Sequence, residues 1–253
     1  MLTAPVRSNA LPISPEEKRQ LLVDQGYRRW EWLKSGCLNC DLVVISTEPK
    51  IQTPKVQAFI ATLGERKSEL IALYQSRTGI TGAEYNLLAQ MAVGILGRES
   101  SFFESERYKL KEQFPTTVAI LKILDVMLFE PNHAITESSR GPTQIKIIPE
   151  LINDRYGLTP DDLVVPENAA IATMGFLIES LTELKRRAAT NHLAFVTPAN
   201  YSDYLPYLYF GARKQLISGK ATPNSNIYVR DMKKYMQWVE LYEKDAVPNS
   251  TLH

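Results

Sequence analysis

The chain is poor in the residues that most chemistry uses. Its 253 residues include only two cysteines and three histidines, and 29 lysines and arginines stand against 28 acids, a formal net charge of +1. Each scarcity excludes something. A near-neutral chain has no global field to draw it onto nucleic acid, so no nucleic-acid partner is expected. No apolar run approaches the ~18 residues of a membrane span. The start, Met1-Leu2-Thr3-Ala4-Pro5-Val6-Arg7, lacks the apolar core of a signal peptide. His133, His192 and His253 share no ligand spacing. One cysteine pair without a second is poor for zinc, so no metal and no other cofactor is expected. Internal repeats and low-complexity segments are also missing.

The cysteines stand together as Cys37-Leu38-Asn39-Cys40. A redox site with this spacing wants a helix N-terminus after a strand, where the thiol pKa falls. Here the pair follows a predicted helix and Gly36. A structural pair or tight disulfide in a loop ranks first, free thiols second, and a redox or metal site third.

What is present is helix-forming sequence. Hydrophobic residues at 44% and charged residues at 23% fit an ordinary globular chain, long enough for one large domain or two small ones. Ser14-Pro15-Glu16-Glu17 is a capping box with proline at the first helical position, and predicts a helix to about Lys34, ended by Gly36. On such a helix Trp30 and Trp32 fall on nearly opposite faces. Asp41 to Ser46 is β-branched but too isolated to require a sheet. Thr53-Pro54 opens a second long helix ending near Gly79. Thr81-Gly82-Ala83-Glu84 is another capping box, and behind it Leu87, Leu88, Met91, Ile95 and Leu96 keep a 3.6-residue stripe. That helix ends at or near Glu99. A carboxyl group there faces the negative end of the helix dipole, which favours the protonated form, as does partial burial.

Further on, 105 to about 128 reads as helical with a break at Phe114-Pro115. From Phe129 to Ile148 the periodicity disappears, and Pro131, Asn132, Ser138, Ser139, Gly141 and Pro142 mark a loop or hairpin. Helices are expected again at about 149–156, 166–188, 199–218 and 227–244, the third interrupted by Pro206 and Gly211. The tail after Ala246 is expected to fray. The expected class is mainly α. A helical extension over 1–78 precedes a helical domain over 79–245 with a small loop or β-hairpin insert, and 246–253 form a flexible tail.

Four segments carry chemistry in a fixed order: Gly97-Arg98-Glu99-Ser100-Ser101-Phe102, then Gly141-Pro142-Thr143-Gln144-Ile145, then Asn168-Ala169, then Tyr209-Phe210-Gly211-Ala212. In that order they resemble the signature of the lytic transglycosylases and goose-type lysozymes, over roughly residues 80–240. Tyr228-Val229 resembles the closing Tyr-Val helix of that family. The resemblance implies a lysozyme-like fold and cleavage of the MurNAc-GlcNAc strand of peptidoglycan. Glu99 is then the general acid and base. Ser100 hydrogen-bonds in or near the site, Gln144 faces the cleft, and Tyr209 hydrogen-bonds the Glu99 carboxyl. The chain departs from the family in Pro142 and Thr143, in Phe210 where asparagine is usual, and in a longer interval between Glu99 and Gln144.

Such enzymes use either the substrate's acetamido group and a single glutamate, giving a 1,6-anhydro product, or a second carboxylate that holds water. Among Glu104, Glu106, Glu130 and Glu137, Glu137 is the best candidate for that second, substrate-binding carboxylate. A cleft with such acids also suits de-N-acetylated, cationic glycan as a second substrate class. Arg98, Arg140 and Arg213 are candidates for the carboxylates of peptide stems. The resemblance places the chain as a monomer in the periplasm or outside the cell, reached by a removed signal or another route. The opposing reading is a catalytically inactive, wall-binding relative of the same fold. The tyrosine stripe Tyr201, Tyr204 and Leu208, with Tyr207 nearby, is expected to be core rather than sugar platform.

Overall fold

A computed structural model describes residues 13–32, 36–113, 139–190 and 193–245, the side chains of 111–113 aside. The fold is mainly helical with one small sheet. In chain order the elements are α1 (Pro15–Asp24), β1 (Arg28–Arg29), β2 (Asp41–Ile45), α2 (Pro54–Glu65), α3 (Lys67–Thr78), α4 (Gly82–Ser100), α5 (Glu106–Gln113), α6 (Glu150–Tyr156), α7 (Pro166–Thr190), α8 (Tyr201–Tyr204), α9 (Pro206–Tyr209), α10 (Arg213–Ile217), α11 (Ile227–Met236) and β3 (Glu240–Lys244). Short 3-10 turns at Pro49–Gln52, Pro160–Val164 and Pro198–Asn200 join them.

The organising element is α4. It starts at the capping box expected from Thr81 and Glu84, with the Glu84 backbone N–H donating to the Thr81 hydroxyl at 3.2 Å. It is buried around nearly its whole circumference, from Tyr85 and Leu88 to Val93 and Leu96. Helices α7 and α11 pack on it. Gly94 and Gly97 make the second contact close: a Cβ on Gly94 would lie 2.7 Å from the Met232 carbonyl, and one on Gly97 2.7 Å from the Tyr235 ring. Two glycines three residues apart therefore bring α11 against the last turns of α4, where Glu99 sits.

The sheet overturns two expectations. β3 runs antiparallel between β1 and β2, with Val43 opposite Tyr242 and Arg29 opposite the same residue. The helix expected over 227–244 thus stops at Met236, and its last residues form a strand. The β-branched run at Asp41, expected to stay isolated, is the partner that strand needs. Leu42, Val44 and Leu241 place apolar side chains in the main core, while Ile45 and Tyr242 are buried with Leu22 of α1 in a second small cluster.

The first helix is also shorter than expected. It ends at Asp24, and Gly26 takes φ +86°, turning the chain into β1. Trp30 and Trp32 consequently lie in the non-helical chain that follows β1. Their ring centroids are 5.8 Å apart rather than on opposite sides of a helix. The second long helix divides at Arg66 into α2 and α3. The segment 199–218 divides into three short helices, with Pro206 opening α9 and Gly211 at φ +86° before α10. Tyr201 and Tyr207 are core residues, as expected of that stripe.

One apolar core joins residues on both sides of position 79: Phe59, Leu63 and Tyr74 belong to the same cluster as Leu88, Leu177 and Met232. Cys37 and Cys40 form a disulfide in the loop before β2, the first-ranked reading of the pair. The Phe114-Pro115 break, the helix to 128, Glu130, Glu137, the three histidines and the tail after Ala246 lie outside the described residues. No described helix is long and apolar enough to cross a membrane.

Candidate active site

Glu99 is half-buried in the last turn of α4. The chain then does something costly. Ser101, Phe102 and Phe103 take φ values of 49°, 61° and 68°, three successive non-glycine residues in the left-handed region. Each such residue costs about 1 kcal/mol or more, so the turn persists only because its surroundings over-determine it. Phe102 is 1% exposed, stacked on Trp238 at 5.5 Å and edge-on to Tyr235 at 5.3 Å. Phe103 meets Tyr108 of α5 edge-on at 6.0 Å.

Ser100 is the third constraint, and its place differs from the expected one. It is 0% exposed. Its hydroxyl donates to the Leu96 carbonyl at 2.9 Å and accepts the Phe103 N–H at 3.1 Å. Ser100 therefore faces away from any ligand and fastens the left-handed turn that holds its neighbour, Glu99.

The glycine-containing segment folds into a tight turn bridged between Arg140 and Ile145. Gly141 has φ +71°, and a Cβ there would fall 2.7 Å from the Leu163 carbonyl, so this position needs glycine on two counts. Thr143 stands where the family resemblance would place an apolar residue. Thr173 donates to the Ala169 carbonyl at 2.6 Å, so the 2.8 Å contact between the two hydroxyls has Thr143 donating to Thr173. A buried hydroxyl pair thus fixes the turn to α7 in place of an apolar wall. Gln144 folds back on its own turn: its Nε2 donates to the Gly141 carbonyl at 2.6 Å and its Oε1 accepts from Ser139 at 3.1 Å. Asn168 donates to the Asp162 carbonyl at 3.3 Å and closes the entry to α7.

Tyr209 connects this turn to Glu99. Its hydroxyl donates to the Thr143 carbonyl and not, as expected, to the Glu99 carboxyl; its ring meets Phe176 edge-on at 5.2 Å, and Glu99 acts on it through its charge alone. Burial first and that charge second push its pKa well above the ordinary tyrosine value.

A second tyrosine, absent from the expected set of site residues, meets the same carboxyl. Tyr228 lies in the first turn of α11, beyond the Asn226 cap. Its hydroxyl interacts with the Glu99 carboxyl in a geometry short of a well-aligned hydrogen bond. Burial is the largest cause of its raised pKa, followed by Tyr209 and the Glu99 charge. Its ring is 4.9 Å from Phe210 and 5.4 Å from the Arg98 guanidinium carbon, and Arg98 Nε lies 3.3 Å from Asp231 on α11. The unusual phenylalanine at 210 is thus a packing partner of Tyr228. The sequence signal was the Tyr228-Val229 pair, which marks a helix start without revealing which way the ring points.

The structure therefore brings together Glu99, Tyr209, Tyr228, Arg98 and, through Tyr209, the Thr143 backbone. It turns Ser100 inward and ties Gln144 within its loop. Arg140 pairs with Asp161 at 2.5 Å. The arrangement offers one carboxyl group met by the Tyr228 hydroxyl, with Tyr209, bonded to the Thr143 carbonyl, nearby and a half-exposed arginine beside it. No family model, curated protein or solved structure matches the chain.

Proposed function

We propose that the chain is a lysozyme-like enzyme that cleaves the glycan strand of peptidoglycan between N-acetylmuramic acid and N-acetylglucosamine. The observation that carries this reading is the meeting of Glu99 with Tyr209 and Tyr228. Of the segments whose order in sequence carries the resemblance, 209 bonds to the 141–145 turn through the Tyr209 hydroxyl and feels the Glu99 charge, and Tyr228 meets the Glu99 carboxyl. Glu99 gives its proton to the glycosidic oxygen as the bond breaks. Tyr228 keeps its proton at neutral pH and presents its hydroxyl to the carboxylate that results, while Tyr209, its hydroxyl donating to the Thr143 carbonyl, ties the 141–145 turn beside it. Arg98, stacked on Tyr228, offers a cation beside the cleft to the carboxylates of lactyl ethers or peptide stems. Glu99 then acts as base, either on the sugar's own 6-hydroxyl after acetamido participation or on a water.

The test is mass spectrometry of soluble fragments from digested sacculi, natural and chemically de-N-acetylated, with Glu99→Gln as control. Anhydro ends, lighter than reducing ends by one water, would establish the substrate-assisted route. Reducing ends would establish hydrolysis and direct attention to a second carboxylate such as Glu137. Release from de-N-acetylated wall alone would assign the substrate class with free amines. If neither wall yields fragments while the protein co-sediments with sacculi, the chain is a binding relative without the chemistry.

A further inference from the structure

At the opposite end of α4, roughly 25 Å from Glu99 along the helix axis, a second cluster of reactive groups has no part in the glycan chemistry. The Cys37–Cys40 disulfide lies at the C-terminal end of β3, and the two Sγ atoms and a Glu243 carboxylate oxygen fall within 4.8 Å of one another. The two cysteines are not equivalent. Cys40 is 3% exposed, and its Sγ is 3.2 Å from Asp245 Oδ1. Cys37 is half-buried and lines an open cavity of about 300 Å³ in which Arg28, Arg29 and Lys244 meet Glu31, Glu243 and Asp245 beside Trp30. Glu243 is paired with the buried Lys67 ammonium at 2.5 Å.

We infer that Cys37 and Cys40 form a thiol–disulfide exchange centre, with Cys37 as the attacking thiol and Cys40 as the resolving one. Here one sulfur opens to a cavity and the other faces a carboxylate. The contact with Asp245 suits the reduced state: a disulfide sulfur has no proton to give a carboxylate, whereas a Cys40 thiol donates to it. With Glu243 neutralised by Lys67, the three cations Arg28, Arg29 and Lys244 outnumber the carboxylates Glu31 and Asp245 around the cavity. That potential favours the thiolate, the form that attacks.

The exchange balances as follows. Cys37 loses its proton to water and its thiolate attacks one sulfur of a partner's disulfide. The partner's S–S bond breaks as the new bond forms, and its second sulfur leaves as a thiolate that takes up a proton. Asp245 then accepts the Cys40 thiol proton, and Cys40 Sγ attacks Cys37 Sγ. The partner's first sulfur leaves as a thiolate, which is protonated in turn. The partner gains two electrons and two protons, the cysteine pair loses them, and the reverse sequence oxidises a partner dithiol. The co-reactant is thus a disulfide or dithiol small enough, or exposed enough, to enter a basic cavity beside Trp30.

The experiment equilibrates the folded, full chain in glutathione buffers of varied reduced-to-oxidised ratio, traps thiols by alkylation and counts them by mass. Reversible reduction and reoxidation without loss of fold is expected. Cys40→Ser is expected to accumulate one glutathione on Cys37, while Cys37→Ser leaves the buried Cys40 unmodified. Asp245→Asn is expected to slow release of glutathione from Cys37 by about a hundredfold while leaving its attachment unchanged. A disulfide that resists reduction until the chain unfolds would overturn the proposal, as would equal labelling of the two single-cysteine variants. Zinc uptake by the reduced chain with no exchange would also overturn it, in favour of a metal site. The wild-type measurement decides the matter even if a variant fails to fold, and none of these readouts depends on Glu99.

Discussion

The two ends of α4 are built by opposite means. At the N-terminal end the helix start is capped. The Thr81 capping box is complete, Lys185 pairs with Glu84 at 2.6 Å, and a Cβ on Gly82 would lie 2.3 Å from the Cys37 carbonyl, so the disulfide loop sits directly on the helix start. At the C-terminal end the helix stops in three left-handed residues, and Tyr228 and Arg98 Nε are buried without well-aligned hydrogen bonds. The first end is capped as a helix start should be, although the Asn86 amide one turn in is buried without a hydrogen bond, and the second end strains three successive residues next to a half-buried carboxyl group. Violations of that kind concentrate where a structure holds reactive groups in place, and the asymmetry is a physical reason to seek the chemistry at Glu99.

The sharpest way to break the comparison is to remove the carboxyl group. Glu99→Gln keeps the size of the side chain and leaves the Ser100 and Phe102 contacts untouched. Glycan cleavage is expected to fall about 10²–10⁴-fold, the usual contribution of a positioned acid, with no change in melting temperature. An equal loss of activity and stability would make Glu99 a structural residue and erase the distinction between the two ends.

The next largest effect belongs to the capped end. Lys67 is 1% exposed and pairs with Glu243 beside the disulfide. Lys67→Met leaves a buried carboxylate alone and is expected to cost about 3 kcal/mol in denaturant unfolding. Lys67→Met with Glu243→Leu is expected to recover most of that loss, because a buried pair replaced as a unit is near neutral. Burial lowers the Lys67 pKa from its ordinary 10.5, and the Glu243 hydrogen bond only partly opposes it. Between the folded value and 10.5 the unfolded chain binds the extra proton, so stability rises with pH there, relative to the double variant. A single variant as stable as wild type would mean that this end is not held by its buried charges.

How much of this was legible follows the same division. The start of α4 was readable because a capping box is local: Thr81 and Glu84 are three residues apart, and an apolar stripe follows. The resemblance in the order of Glu99, Gly141, Asn168 and Tyr209 likewise needed only order and residue type. The sheet was not readable, because Glu240–Lys244 reads Glu-Leu-Tyr-Glu-Lys, a composition as good for a helix, and its partners lie near positions 28 and 42. Gly26, whose positive φ ends the first helix early, was visible but weaker than the periodicity around it. Ser100 was recognised as part of a pair with Glu99, but sequence cannot say on which side of a helix end a hydroxyl points. Tyr228 was named only as a helix start, since its approach to Glu99 depends on Gly94 and Gly97 letting α11 come close.

Ser100→Ala probes what that inward hydroxyl does. It strands the buried Phe103 N–H and is expected to cost about 1–3 kcal/mol. If the left-handed turn positions Glu99, the turnover number falls as well, and the loss is not restored under stabilising conditions. A variant that melts earlier but turns over normally would confine Ser100 to stability.

The smallest effect separates strain from chemistry. Ser101 caps α4 at φ 49°, a conformation glycine adopts freely. Ser101→Gly removes about 1–2 kcal/mol of left-handed strain and gives back about 0.5–1 kcal/mol in chain entropy. A net gain of about 0.5 kcal/mol is expected, read as a small rise in melting temperature. The informative quantity is the sign of the change in turnover beside it. Phe102 and Phe103 remain clamped by Trp238, Tyr235 and Tyr108, so the turn is expected to keep its path, but glycine at the hinge widens the range of Glu99 orientations. Slower cleavage by a more stable protein would tie the strain at this end of the helix to the geometry of the acid. Unchanged cleavage would assign that geometry to the aromatic clamp and to Tyr209 and Tyr228, leaving the backbone strain a by-product of burying two phenylalanines in succession.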